Sequence, residues 1–439
     1  MRAMTDMPNQ SGPSAAPGYY RWLVLLACSL AIFGNYYVFD ALYPVTTFMQ
    51  QQLGMSGQQI GLMDTAYNVA ALLGLFVGVV VIDRLGAVRS SLLFATIGAG
   101  GSALIAFLPA ALPGSPHIGF IAGRFVLGIG AELFIVTATA VVGRWFKGKE
   151  ISFALALQLL IARLGSVLAD DSPKYFASLF TGWQAPLILA AGFGLLWLVF
   201  AVLYAALEAH AAKRYGVKGA VATDRLVFAD IAAFGRRYWW VVGLCVAFYA
   251  SIFPFRSFAN LYFTEAHGIT EAQAGSLKAW LPKISMIGMP IFGLIADKVG
   301  KRALLMVIGA ALLVPPFLLM PYTGLPLGLS MGMLGVAFAL VPAVLWPTVT
   351  YLVPETRLGS AYALMTFCQQ LFWAGMSWGI GAAKDAAGAS AANPSGWLPV
   401  MWMLAGLSAA GLVFAFLFWR DEGKATSSAA APAVSGPQA

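Results

Sequence analysis

Charge is what this chain lacks most. Only 10% of its 439 residues are Asp, Glu, Lys or Arg, while 60% are hydrophobic, and the mean hydropathy is +0.80. Soluble globular chains carry about 25% charged residues. So little polar surface cannot cover so apolar a core in water, and a lipid bilayer is required as solvent. Cysteine is scarce too: Cys28, Cys245 and Cys368 lie inside apolar runs and fit no disulfide framework or zinc spacing. The three histidines, His117, His210 and His267, form no metal constellation, and HExxH, DxD and Walker A patterns are absent. No cofactor or metal is therefore expected, and ATP is not expected as a driving force. Loops too short for a catalytic domain, and the lack of a nucleophile–base pair, argue against an enzyme.

What the chain has is long apolar runs. A helix needs about 20 such residues to cross the hydrocarbon core. Runs near 21–49, 57–82, 88–110, 116–143, 151–175 and 184–207 precede a polar stretch, and runs near 238–262, 272–296, 303–321, 326–353, 359–383 and 396–419 follow it. This predicts an all-α membrane protein of twelve transmembrane helices in two six-helix halves. The expected parts are an N-terminal tail (1–20), a first bundle (21–207), a linker (208–237), a second bundle (238–420) and a disordered tail (421–439). Residues 1–19 are polar and rich in Pro, Ser and Gly, unlike a signal peptide.

Basic residues set the expected orientation. Of 26 Lys and Arg, 19 fall in the two tails, the linker and the other loops after even-numbered spans. Three (Lys174, Lys278, Lys384) lie near the opposite face, and four (Arg124, Arg163, Arg256, Lys283) lie within spans. The positive-inside rule then places both termini and the linker in the cytoplasm. The net charge of +8 is explained by orientation, and no nucleic-acid partner is needed.

An internal repeat agrees with a duplicated bundle. GVVVIDRLGAVR (78–89) after the second span recurs as GLIADKVGKR (293–302) after the eighth, about half a chain length on. Both copies resemble the signature of the major facilitator superfamily, Gly-x-x-x-Asp-Arg/Lys-x-Gly-Arg/Lys. The second copy is intact; in the first, Val79 stands where Gly is expected. A carboxylate at a helix end beside a cation can pair across a gap and hold one face shut, which makes Asp83, Arg84, Asp297 and Lys298 gating candidates. Gly86 and Gly300 permit the tight turn. GRFVLGIGAE (123–132), with Arg124, Gly128 and Gly130, resembles the superfamily's second motif. The drug-antiporter signature on the fifth span is absent, since 158–170 reads QLLIARLGSVLAD.

A denser resemblance runs from the first span to the eleventh. GRFVLGIGAE, RWFKGKE (144–150), LQLLIARLGS (157–166), FPF (253–255), FTE (263–265) and LWPTVTYLVPETRLGSAY (345–362) are similar to the branch containing the lysosomal dipeptide uniporters. The resemblance implies the major facilitator fold and alternating access. It also implies a Glu and an Arg that hold a dipeptide's amino and carboxylate groups, here Glu132 and Arg163. The residues themselves single out the same two. Each lies near the middle of a span, where a charge costs several kcal/mol unless paired or wetted. The alternative is a structural ion pair between neighbouring helices, with Arg124 as a further partner.

Departures from that branch matter as well. Arg256 and Lys283 stand where the resemblance implies uncharged residues, and Asp40 and Asp64 add acids within spans. Arg256 and Asp40 are expected to pair as an outer gate. Lys283 beside Arg163 would favour a solute with extra negative charge. Asp170 and Asp171, ending the fifth span, are expected to be solvated. Among the aromatics, Tyr36, Tyr37 and Trp346 are placed at the cavity, and the rest serve as interface belts and packing.

The expected function is secondary active or facilitative transport of a small polar organic solute, driven by its own gradient or by protons. Dipeptides or amino-acid derivatives lead. Organic anions, including carboxylate siderophores, are the alternative, and a non-transporting nutrient sensor, disfavoured by the short tail, is a distant one. The absence of a luminal Asn-x-Ser/Thr sequon and of an acidic dileucine signal favours a bacterial inner membrane over a lysosome. A monomer without an obligate accessory subunit is expected.

Overall fold

The computed structural model describes residues 17–147, 149–215, 234–354 and 357–430. Before the central stretch come α1 (Tyr20–Asp40), α2 (Thr46–Leu53), α3 (Gly57–Ala111), α4 (Pro116–Trp145), α5 (Ile151–Tyr175) and α6 (Gln184–Tyr215). After it come α7 (Arg236–His267), α8 (Glu271–Lys278), α9 (Trp280–Val299), α10 (Arg302–Tyr322), α11 (Leu327–Thr348), α12 (Leu358–Ala386) and α13 (Leu398–Ala430). Among the described residues there is no strand beyond one isolated bridge between Ser390 and Asn393. Lipid offers the backbone no hydrogen-bond partners, so a chain this apolar satisfies its amides within helices.

Eleven helical stretches among the described residues are long and apolar enough to cross a membrane. The first expected span is broken by a 3₁₀ turn at Tyr43–Val45 and resumes as α2. The eighth is α8 followed directly by α9. Helix α12, 29 residues long, falls outside the eleven; Gln369, Gln370, Lys384 and Asp385 interrupt its apolar sequence. Part of the expected linker is helical, as the end of α6 and the start of α7, and 216–233 lie outside the described residues. The last helix runs on to Ala430, past the boundary expected at 420, with no proline in 421–430 to end it; 431–439 again lie outside the described residues.

The repeat extends well beyond the signature. Gly54 ends α2 in the left-handed region (φ 64°), and Ser56 with Gln59 forms a capping box that starts α3. At constant offset, Gly268 (φ 64°) ends α7, and Thr270 with Gln273 forms the box that starts α8. Gly86 (φ 75°) kinks α3 into two limbs, and Gly300 (φ 68°) ends α9. These are conformations that only glycine adopts without strain. The packing repeats too. Helix α1 lies on α5 and α6 as α7 lies on α12 and α13, and α3 lies on α4 as α9 lies on α11.

Small residues let α4 seat deeply against both limbs of α3. A Cβ on Gly128 would stand 2.5 Å from the Tyr67 carbonyl oxygen, and one on Gly130 would stand 2.3 Å from the Gly98 nitrogen. Close backbone approach of this kind is how helices associate where lipid removes the hydrophobic drive. Across the halves, α12 packs along α3, and α8 and α9 pack on α5.

Candidate functional site

The two ends of the bundle are built differently. At the end bearing Tyr20, Tyr20 Oη donates to the Leu207 carbonyl (2.7 Å), and Arg21 pairs with Glu150 (2.8 Å). Tyr238 Oη likewise donates to the Ala361 carbonyl (2.8 Å), and Arg236 pairs with Asp421 (2.9 Å). Each of these contacts stays within one half. Asp83 and Arg84 are exposed there, and Asp297 pairs with Arg302 in its own loop at 2.8 Å.

At the far end, polar contacts join the halves. Asp385 of α12 accepts from the Gly57 and Gln58 amides of α3 at 2.7 and 2.8 Å, and Thr65 Oγ1 donates to the Ala374 carbonyl at 2.8 Å. Arg256 reaches Asp40 (3.0 Å) and Asp170 (2.9 Å), and Lys278 meets the other oxygen of Asp170 (2.9 Å). All four side chains are buried. Lys283 pairs with Asp171 at 2.6 Å, and Ser276 Oγ donates to the same carboxylate at 3.0 Å. Arg124 is engaged in the same region. It is fully buried, 2.5 Å from Asp64, and donates to the Phe39 carbonyl at 3.1 Å; Ser257 of the second half bonds the other oxygen of Asp64.

Beneath this clasp lies a cavity of about 290 Å³, lined from both halves. From the first half come Tyr36, Asp40, Tyr67, Glu132 and Arg163; from the second, Tyr249, Arg256, Trp346, Gln370 and Trp373. Asp40 and Arg256 neutralise each other at one edge of it. Tyr67 Oη donates to Glu132 Oε1 at 2.8 Å, and Trp346 Nε1 donates to Tyr249 Oη at 2.9 Å. Arg163 lies over the Phe338 ring at 4.8 Å and the Tyr36 ring at 5.9 Å. Among the described residues no carboxylate pairs with Arg163, and its Nε has no acceptor. No cation pairs with Glu132 among them either. The cavity thus presents one unpaired carboxylate and one unpaired guanidinium.

Several expectations need correction. Lys283 does not join Arg163; it is drawn to Asp171 because α9 packs on α5. Tyr37 does not face the cavity. Its hydroxyl bonds Ser172 Oγ (2.8 Å) and its ring stacks on Phe193 at 3.7 Å, so it faces away from its neighbour Tyr36. Asp170 and Asp171 are not solvated but buried and paired across the halves. Arg124 takes Asp64 as partner, not Glu132. Residues not singled out beforehand include Tyr67, Gln370 and Trp373 in the cavity wall and Lys278 in the clasp. Lys278 carried a signal, since a lysine beside apolar sequence needs a buried acid to meet it. No group of three or more His, Cys, Asp or Glu among the described residues could hold a metal ion.

With this geometry in view, known proteins offer a frame. The sequence model of the Major Facilitator Superfamily matches residues 28–377. Over 380 residues the chain is 28% identical to the Lysosomal dipeptide transporter MFSD1 of Danio rerio, covering 84% of this chain and 82% of that protein. Identity to the Homo sapiens protein of the same name is 28% over 383 residues, covering 82% and 81%. Among solved structures, that of the POT family transporter PepTSo superposes with a TM-score of 0.72 at 13% identity, over 93% of this chain and 99% of that one. At that identity the likeness speaks for the fold alone.

Proposed function

Since the chain belongs to the Major Facilitator Superfamily, a family of membrane transporters, we propose that it carries dipeptides or closely related amino-acid derivatives by alternating access. The observation that carries this reading is the pair of opposite charges, Glu132 and Arg163, in the wall of one cavity between the halves, neither of which has a counter-charge among the described residues. A zwitterion supplies what each lacks: an ammonium for Glu132 and a carboxylate for the planar fork of Arg163. The relatives named as dipeptide transporters support the same reading. The organic-anion reading rested on Arg256 and Lys283 facing solute. Both are instead taken by carboxylates, and Glu132 would repel a plain anion.

In this proposal α12 is the eleventh of twelve spans, added to the eleven that are apolar enough by themselves, its glutamines tolerated because Gln369 and Gln370 line the cavity. Both termini are cytoplasmic in an inner membrane, and the clasped far end faces outward. Two six-helix halves then rock about the midplane site. Labelling of single cysteines at Lys213 and Thr181 from either side of the membrane tests the topology; accessibility of both from one side would overturn it. A thermal-shift series on purified protein tests the substrate, since a ligand that binds only the folded state stabilises it by mass action. Dipeptides should raise the transition temperature, and dicarboxylates and N-acetylated dipeptides should not. Stabilisation by dicarboxylates alone would replace this reading with the anionic one.

A further inference from the structure

A second hollow adjoins the polar cavity. It offers about 460 Å³ between α3, α4 and α12 and is partly open to the outside, with Phe76 and Val136 of its lining exposed. Its walls are mainly apolar, with Leu75, Leu133, Val136 and Phe367 on facing sides and the half-buried Ala140 and Ala363 leaving room between them. Glu132, Ile135, Thr366 and Gln370 line this hollow and the polar cavity alike. Glu132 is the one charged residue in the apolar wall, and it stands on the boundary between the two spaces.

We infer that this apolar annex receives the side chain of the first residue of a bound dipeptide, so that the protein selects peptides beginning with a bulky apolar residue. The inference rests on the dipeptide reading of the site. Tyr67 occupies Glu132 Oε1, which leaves the other oxygen for the peptide's ammonium. The first Cα then lies one bond, about 1.46 Å, from that nitrogen, and so on the boundary itself. Its carbonyl must turn into the polar cavity to bring the terminal carboxylate to Arg163. The polar cavity, at about 290 Å³, is at the lower end of ligand pockets, which run from about 300 to 1,000 Å³. It has room for a short peptide backbone and little more. The first side chain is left with the annex, where apolar atoms find apolar walls and a charged group would be desolvated without a partner. Because the backbone direction is fixed at both ends, only one configuration at the first residue sends the side chain there, and in this proposal it is the L-configuration of natural peptides.

Competition against a labelled Ala-Ala tracer, read on the purified full chain, tests this. Phe-Ala should compete roughly tenfold or more better than Ala-Phe. Affinity should rise through Val-Ala, Leu-Ala and Phe-Ala and fall for Glu-Ala, and the D-Phe epimer should lose the advantage. Filling the annex by Ala140→Phe or Ala363→Phe should bring the Phe-Ala to Ala-Phe ratio towards one; the unliganded transition temperature of each variant shows whether it has folded. Equal competition by Phe-Ala and Ala-Phe while Ala-Ala still binds overturns the annex and leaves the dipeptide reading intact. A preference unchanged in a folded filling variant also overturns it. Should neither variant fold, the ordering of the Xaa-Ala series on the native chain decides alone. Failure of any dipeptide to bind defeats both readings together.

Discussion

Arg256 of α7 and Asp170 of α5 lie 2.9 Å apart, both withdrawn from solvent, and they belong to opposite halves of the chain. Asp170 also receives Lys278 at 2.9 Å, and Arg256 also receives Asp40 at 3.0 Å. Two acids and two bases therefore balance inside the clasp. Removing one acid strands a buried cation, which costs about 3–5 kcal/mol where the site cannot rewet. Asp170→Asn, which deprives both cations, should lower stability more than Asp40→Asn, which deprives one. The double variant Asp170→Asn with Lys278→Gln should be less damaged than the sum of its singles, by roughly 0.5–3 kcal/mol. Thermal unfolding in detergent reads all of these, and strict additivity would remove the Asp170–Lys278 pair from the clasp.

Asp385 tests whether the far end is a gate. Its carboxylate takes the first two amides of α3 from across the halves, a charge at a helix N-terminus supplied by the opposite bundle. Opening the far end must break both bonds. A helix cap is worth about 0.5–2 kcal/mol, so Asp385→Ala should shift the conformational balance towards far-end opening by roughly 2- to 30-fold. Nitroxides at the exposed positions Thr181 and Ala391 report that separation by electron–electron distance measurement. An unchanged distance distribution would mean that the contact does not bias the two states.

The signature loops lie at the other end. Asp297 is 71% exposed and, among the described residues, pairs with Arg302 of its own loop at 2.8 Å, which is what the gating proposal requires of an open end. Asp297→Asn and Asp83→Asn should therefore slow transport several-fold while leaving dipeptide affinity within about twofold, because they bias conformations without touching solute. Parallel uptake and binding measurements separate the two. Lost affinity at an unchanged rate would move these residues into the site.

The pattern of what could be read in the sequence follows from geometry. Apolar runs gave the helices, and depth along a run picked out Glu132 and Arg163, because a mid-span charge is costly whatever its neighbours are. Depth does not reveal the partner. Asp170 and Asp171 close an apolar run as solvated residues would, and only the packing of α8 and α9 on α5 brings Lys278 and Lys283 to them. Facing was equally hidden. Tyr36 and Tyr37 are about 100° apart on α1, and what separates them is one acid, Asp40, a turn on from Tyr36 and lining the same cavity; a single residue is too sparse to read as a polar stripe. Helix α12 is the reverse case: its glutamines lower its hydropathy because it lines the site.

The sharpest prediction returns to Glu132 and Arg163. Arg163→Lys keeps the charge but loses the planar fork that can grip both carboxylate oxygens. It should weaken dipeptide binding about tenfold, the order expected for one lost hydrogen bond to a charged group. Arg163→Ala should weaken it further. Glu132→Gln should lose dipeptides with a free amino group, yet leave whatever weak binding N-acetyl dipeptides have unchanged, since these bring no ammonium to the carboxylate. For a plain anion the pattern inverts: Glu132→Gln would bind as well as or better than the native chain, because a repulsive charge has gone. Lys283→Gln discriminates further. Its ammonium is held by Asp171 at 2.6 Å, so this change should leave dipeptide affinity within about twofold and register instead in stability. Competition by dipeptide, N-acetyl dipeptide and dicarboxylate on these variants reads every case. Full affinity of Arg163→Ala for all three competitors would reduce that guanidinium, stacked on Phe338 at 4.8 Å, to a packing residue.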